Sequence, residues 1–227
     1  MSNWFMFDHI HNQIRLTRKK KGLISNFLVS LLLISLGVWL IHLLLASQGV
    51  HPLKTDQTNH QAALHGADFS PSVLYWQEEI EAWAISTGLS PLLIATVMQI
   101  ESCGDPLATS TVGAQGLFQV MPYHFQPGED MLDPQTNAQR GLANLHESLQ
   151  IANNNIQLTL AGYNGGHSQI NSNPTNWPTE TQRYVHWGYS IFQDALQGKF
   201  QGKALSAWLR TGGWQLCEQA EINLGLH

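Results

Sequence analysis

The sequence predicts a mainly α-helical domain of about 155 residues behind a single N-terminal transmembrane helix. Three observations predict it. A charge-free stretch, residues 22–53, holds a 24-residue apolar run at 23–46. It directly follows the basic cluster Arg18, Lys19, Lys20 and Lys21. From residue 73 onward, apolar residues recur at helical spacing between Ser-Pro, Asp-Pro and Gly-Gly punctuation, and no segment alternates as a half-buried strand does.

The run at 23–46 exceeds the roughly 20 apolar residues that span a bilayer. A cleaved signal peptide is the rival reading. Its apolar region is usually about 7–15 residues and ends in small residues, whereas Leu44-Leu45-Ala46 is a weak cleavage site. The basic flank places residues 1–22 in the cytoplasm and everything after the run outside, by the positive-inside rule. Residues 47–72 read as a polar linker with Gly, Pro, Asn and scattered His. As a flexible chain its 26 residues span about 28 Å. The domain at 73–227 follows.

In that domain, 73–87 carries Val73, Trp76, Ile80 and Trp83 on one stripe, with Glu78, Glu79 and Glu81 elsewhere. Ser90-Pro91 starts a helix over 91–102, with Ser as N-cap, and Gly104 and Pro106 stop it. Residues 106–127 are loop. Asp133-Pro134 opens a helix to about Ile151, and 156–164 forms a short helix closed by Gly165-Gly166. After a loop at 166–178, helices are expected over 179–196, 203–210 and 213–224.

Charge narrows the functions. The net charge is −5, but from Pro71 onward five basic residues face thirteen acidic ones, a balance of −8. Such a domain does not suit nucleic acid, whose binding rests on phosphate neutralisation. Two cysteines, Cys103 and Cys217, with no CxxC and no Cys/His cluster, give no metal site, and no cofactor is expected.

Glu101 is the unusual residue. On the 91–102 helix it shares a face with Ile94, Val97 and Met98, while Thr96, Gln99 and Ser102 lie elsewhere. A carboxylate on an apolar stripe is desolvated, and its pKa rises toward the range of a general acid. Downstream, "GAQGLFQVMP" (residues 113–122) offers Gln119 among apolar neighbours beside Gly116. "AGYNGG" (161–166) places Tyr163 and Asn164 at a helix end, and "ETQRYV" (180–185) adds Tyr184. One raised acid with amides, tyrosines and apolar walls suits a sugar polymer.

Glu-Ser ending an apolar helix, then a GLMQ-like motif, then an AYNAG-like motif, then ET..YV, in this order and spacing, resembles the SLT-type lytic transglycosylases of the lysozyme-like superfamily. The similarity covers residues 85–187. It implies a lysozyme-like helical fold and peptidoglycan glycan strands as the partner. It also implies Glu101 as catalytic acid and base, with Ser110, Gln119, Met121, Tyr163, Asn164 and Tyr184 along the substrate groove. Departures are Phe118 where Met is usual, which could alter groove shape, Gly162 and Gly165 where Ala is usual, and Cys103 after Glu-Ser. Trp177 and Trp187, near the last motif, are further candidates for the groove. In that family one carboxylate protonates the glycosidic oxygen and then deprotonates the muramic C6 hydroxyl, leaving a 1,6-anhydro end.

Of the other acids that could serve as a second carboxylate, Asp105 is expected to point away. Glu129, Asp130, Asp133 and Glu180 read as loop or helix-start charges. A lysozyme-like hydrolase, and an idle glycan-binding part of a secretion or conjugation machine, are the alternative readings. Outside the membrane Cys103 and Cys217 stand either as a disulfide or as two buried thiols.

Overall fold

A computed structural model describes residues 64, 66–198 and 202–226. The apolar run 23–46, the basic N-terminus and the first part of the linker lie outside the described residues. Among the described residues no helix is long and apolar enough to cross a membrane.

The domain is mainly helical. In chain order the helices are α1 (Pro71–Leu74), α2 (Gln77–Thr87), α3 (Pro91–Glu101), α4 (Pro134–Ile151), α5 (Ile156–Gly165), α6 (Thr179–Leu196), α7 (Lys203–Trp208) and α8 (Trp214–Leu224). Among the described residues extended pairing is limited to the bridges Thr109–Gln115 and Gln115–Val120.

Most helices begin and end where the sequence placed them, and the differences have local causes. The expected helix 73–87 is broken at Tyr75–Trp76, and the Trp76 indole donates Nε1–H to Gly104 O at 2.8 Å. Asp133 caps α4 by accepting the Thr136 N–H at 2.8 Å. Ser90 does not cap α3 with its side chain, so that start rests on Pro91 alone. The loop at 166–178 tightens into two short 3₁₀ turns, His167–Asn171 and Pro174–Asn176. Between α7 and α8 the helix widens into one π-type turn, Leu209–Gly213, where Gly212 leaves helical geometry.

The linker ends earlier than expected. Leu64, Ala67 and Phe69 are buried in the core, and Ser70 and Ser72 are buried beside α3. The apolar residues in this stretch are too few and too irregular to show a period, so only their contacts reveal them as core.

α3 is the axis of the domain. α2 and α6 pack on it, α5 packs on α4 and α6, and α8 lies against α1. Every residue from Pro91 to Gln99 is buried. The side holding Thr96, Gln99 and Ser102 is therefore not the wet side that sequence spacing suggested. Its polar groups are satisfied inside the protein. Thr96 Oγ1 donates to Leu92 O at 2.7 Å, and Ser102 Oγ donates to Leu117 O at 2.7 Å. Gln99 Oε1 accepts the Ser70 N–H at 2.9 Å.

Candidate active site

Glu101 is the last residue of α3, and there the helix emerges from the core into a groove. The groove is about 620 Å³ and is lined by Glu101, Ser110, Gln119, Met121, Tyr163 and Asn164, among others. Six of the seven residues expected at the site thus share one cleft, although they span more than sixty positions of sequence. The seventh, Tyr184, is buried behind it against the Glu101 carboxylate.

Burial pushes the Glu101 carboxyl up to about 8, the Tyr184 hydroxyl opposes that rise, and the negative charge of Glu180 adds to it. Glu101 also sits at the negative end of α3, which disfavours a further negative charge. Tyr163 and Tyr184 are both held above their ordinary range, chiefly by burial and then by Glu101, so both are neutral donors near pH 7. Tyr163 donates its hydroxyl to Phe118 O at 2.7 Å. The Tyr184 hydroxyl is buried with no full hydrogen bond; it faces Glu101 at the margin of bonding geometry.

The amides divide their work. Gln119 Nε2 donates to Ala108 O and Gly116 O, both at 3.1 Å, which leaves its Oε1 as an acceptor on the groove wall. Asn164 Oδ1 accepts from Thr181 Oγ1 at 2.9 Å, which leaves its Nδ2 as a donor. Ser110 Oγ accepts the Ala114 N–H at 2.9 Å, so its own hydrogen remains available.

This wall is built on an irregular loop. Gln119 stands at φ 45, in the left-handed region that non-glycine residues seldom occupy. Asn137 of α4 holds the loop in place. Its Nδ2 donates to Gln115 O at 2.7 Å and Met131 O at 2.9 Å, and its Oδ1 accepts the Phe118 N–H at 2.9 Å. Gly116, at φ 68, lies so close that a Cβ there would stand 2.5 Å from Asn137 Nδ2. Sequence reasoning missed Asn137. An Asn one turn into a helix opened by Asp-Pro is an ordinary pattern, and only the fold turns it inward.

Other expectations are corrected here. The Phe118 side chain does not line the groove: it is fully buried, edge-on to Trp83 at 5.8 Å. Trp177 is buried with its Nε1–H donated to Gln169 O at 2.9 Å, and neither it nor Trp187 lines the groove. Glu180 is more than a helix-start charge, since it stands on the groove wall and acts on Glu101. The remaining acids are engaged elsewhere. Glu129 is paired with Arg140, Nε to Oε2 at 2.9 Å, and Asp130 accepts the Leu132 N–H at 3.0 Å. Asp105 is buried, and each of its oxygens lies 2.9 Å from Asn223 Nδ2, away from the groove. Tyr123, His124, Asn144 and His167 line the groove without having been anticipated, because no motif marked them.

The loop after Glu101 is clamped from both ends of the domain. Cys103 and Cys217 form a disulfide. Gln99 Nε2 donates toward it, 2.9 Å from Cys103 Sγ. Gly104, at φ 84, passes so near α1 that a Cβ would stand 2.5 Å from Ser72 O. Among the described residues no group of three or more His, Cys, Asp or Glu could hold a metal ion.

Residues 78–184 match the family model of the transglycosylase SLT domain. The chain is similar to a transglycosylase of Enterobacteria phage PRD1, 37% identical over 113 residues, which cover 49% of this chain and 40% of that protein. It is also similar to a solved structure, an inactive mutant of the lytic transglycosylase Slt from Pseudomonas aeruginosa. That match has a TM-score of 0.45 and 24% identity, and covers 53% of this chain and 24% of the other. The chain thus spans less than half the length of either relative. The segment similar to the transglycosylase SLT domain begins in α2, ends at Tyr184 and encloses the whole Glu101 groove.

Proposed function

We propose that this protein is a membrane-anchored lytic transglycosylase that cleaves the bond between N-acetylmuramic acid and N-acetylglucosamine in peptidoglycan. The observation that carries the reading is Glu101, alone among the acids of the described residues in being driven up to about 8, at the floor of a polar-walled groove. Protonated at neutral pH, it delivers its proton to the glycosidic oxygen as the C1–O bond breaks. The resulting carboxylate takes the proton of the muramic C6 hydroxyl as that oxygen bonds to C1. The proton balance closes on one residue, and no water is consumed. Tyr184, facing the carboxylate, stabilises the charged form that exists between the two steps. The Gln119 acceptor and the Asn164 donor hold sugar hydroxyl and acetamido groups on either side.

The run 23–46 would anchor the chain with its N-terminus in the cytoplasm. The disulfide supports an external domain, since such bonds persist in oxidising compartments.

The test is muropeptide analysis of sacculi treated with the wild-type chain and with Glu101→Gln. Anhydro ends from the wild type, and none from the variant, are expected. Glu180 on the groove wall gives a hydrolytic reading its one specific observation. Reducing ends in place of anhydro ends would establish hydrolysis. A wild type that pulls down sacculi without digesting them would instead make the protein a binding component of a secretion or conjugation machine.

A further inference from the structure

The groove holds a second cluster that the chemistry at Glu101 does not use. After Met121 the chain makes a short turn, Pro122–His124, which sets Tyr123 on the groove wall with 77% of its surface exposed. The Tyr123 ring is backed by the His124 ring, with centroids 4.5 Å apart and planes tilted by 42°. The hydroxyl of Tyr123 has no hydrogen bond among the described residues. Asn144 of α4 lines the same groove, and its side-chain amide is likewise unengaged. One turn further along α4, Glu147 lies 3.9 Å from His167 Nδ1.

Large apolar side chains exposed singly are commonplace, so exposure alone means little. What distinguishes Tyr123 is its place. It is an aromatic face held by a neighbouring ring, beside an uncommitted amide, on the wall of a cleft whose acid lies at its floor. An apolar surface with a few convergent polar groups is how small-molecule sites are built. We propose that Tyr123, His124 and Asn144 form a pyranose-binding subsite. The C–H face of an N-acetylhexosamine ring lies on Tyr123, and the Asn144 amide bonds its hydroxyl or acetamido group. The inference rests on the glycan-cleaving reading above and adds to it the residues that hold the strand away from the scissile bond.

Charge selects the sugar over the peptide stems of the wall. Glu147 and Glu180 are the acids that border this region, and Arg140, the nearby cation of α4, is paired with Glu129. Burial and the neighbouring His167 lower the pKa of His124, so it supplies no positive charge at neutral pH. Carboxylate-bearing stems would meet repulsion, whereas a neutral sugar ring would not.

The test uses the full chain in detergent, in the Glu101→Gln background to prevent turnover. The probe is the β-1,4-linked hexamer of N-acetylglucosamine, with binding measured by calorimetry. Tyr123→Ala is expected to weaken binding by about threefold to tenfold, the range of one aromatic stacking contact. Tyr123→Phe should bind like the parent, since it keeps the ring face. Tyr123 is exposed, so a thermal melt equal to the parent's accompanies the result. Unchanged binding by Tyr123→Ala, or an equal loss in Tyr123→Phe, overturns the subsite. So does an effect seen only with strands that carry peptide stems. A parent that binds no hexamer also overturns it, and digestion of sacculi by the wild type then decides whether the glycan reading falls as well.

Discussion

Cys217, in the last helix, is bonded to Cys103, two residues beyond Glu101, across a sequence separation of 114. The carboxylate's position is therefore tied to a segment outside the matched SLT domain. Asn223 repeats the tie one and a half turns later through both oxygens of Asp105.

Closing so long a loop restricts the unfolded chain. The entropy model assigns up to about 4–5 kcal/mol to a loop of this length. Replacing both cysteines by serine should lower the melting temperature by many degrees, and a strong reductant should do the same to the wild type. A calorimetric scan that is indifferent to both would show that the bond contributes nothing to stability.

Glu101 makes the opposite contribution as pH rises. Its folded pKa, about 8, lies above the ordinary glutamate value of 4.5. The native state holds the proton between those values and the unfolded state does not. Stability from this group is therefore complete below about pH 4.5 and is lost as pH rises through about 8. Glu101→Gln removes the dependence. The variant should lack wall-digesting activity yet become progressively more stable than the wild type over that window, by roughly a few kcal/mol at most. Urea titrations at pH 5 and pH 8.5 check this. A gap that narrows with rising pH would mean that the carboxylate is not desolvated.

Asn137→Ala should destabilise the domain by roughly 2–4 kcal/mol. It leaves the Met131 carbonyl and the Phe118 N–H without their partner, and the Gln115 carbonyl keeps only the Val120 N–H. Activity should fall more than global stability explains, since the loop it braces carries Gln119. Full activity in a folded Asn137→Ala chain would refute that bracing role.

Gln119 allows binding and backbone strain to be separated. Gln119→Ala and Gln119→Gly both remove the acceptor from the groove and the two bonds to Ala108 O and Gly116 O. Only glycine is at ease at φ 45. The glycine variant should be more stable than the alanine variant by about 1 kcal/mol, with both equally poor in turnover. Denaturation midpoints and digestion rates, measured side by side, decide it.

The helices were legible because their signals are local. Asp133-Pro134 and Gly165-Gly166 mark ends through dihedral preference and capping, which a chain expresses wherever it lies. Glu101 was legible because a carboxylate on an apolar face violates the pattern around it. The burial of Leu64 and Phe69, the inward turn of Gln99 and the bracing by Asn137 were not legible. Each is a polar or isolated residue placed by contacts with distant parts of the chain, and nothing local distinguishes it from surface.

By itself, the sequence determined the mainly helical character of the domain, the acid at the end of α3 and the order of the motifs around it. All three follow from short-range periodicity and spacing. Only the tertiary structure decided that α3 is buried on every side, that Gln119 and Asn164 present opposite hydrogen-bonding ends to one groove, and that Tyr123 stands on its wall. The pairing of Cys103 with Cys217, one of two outcomes the sequence left open, was decided there too. These depend on which distant surfaces exclude water together, and burial is a property of the packed chain rather than of any segment in it.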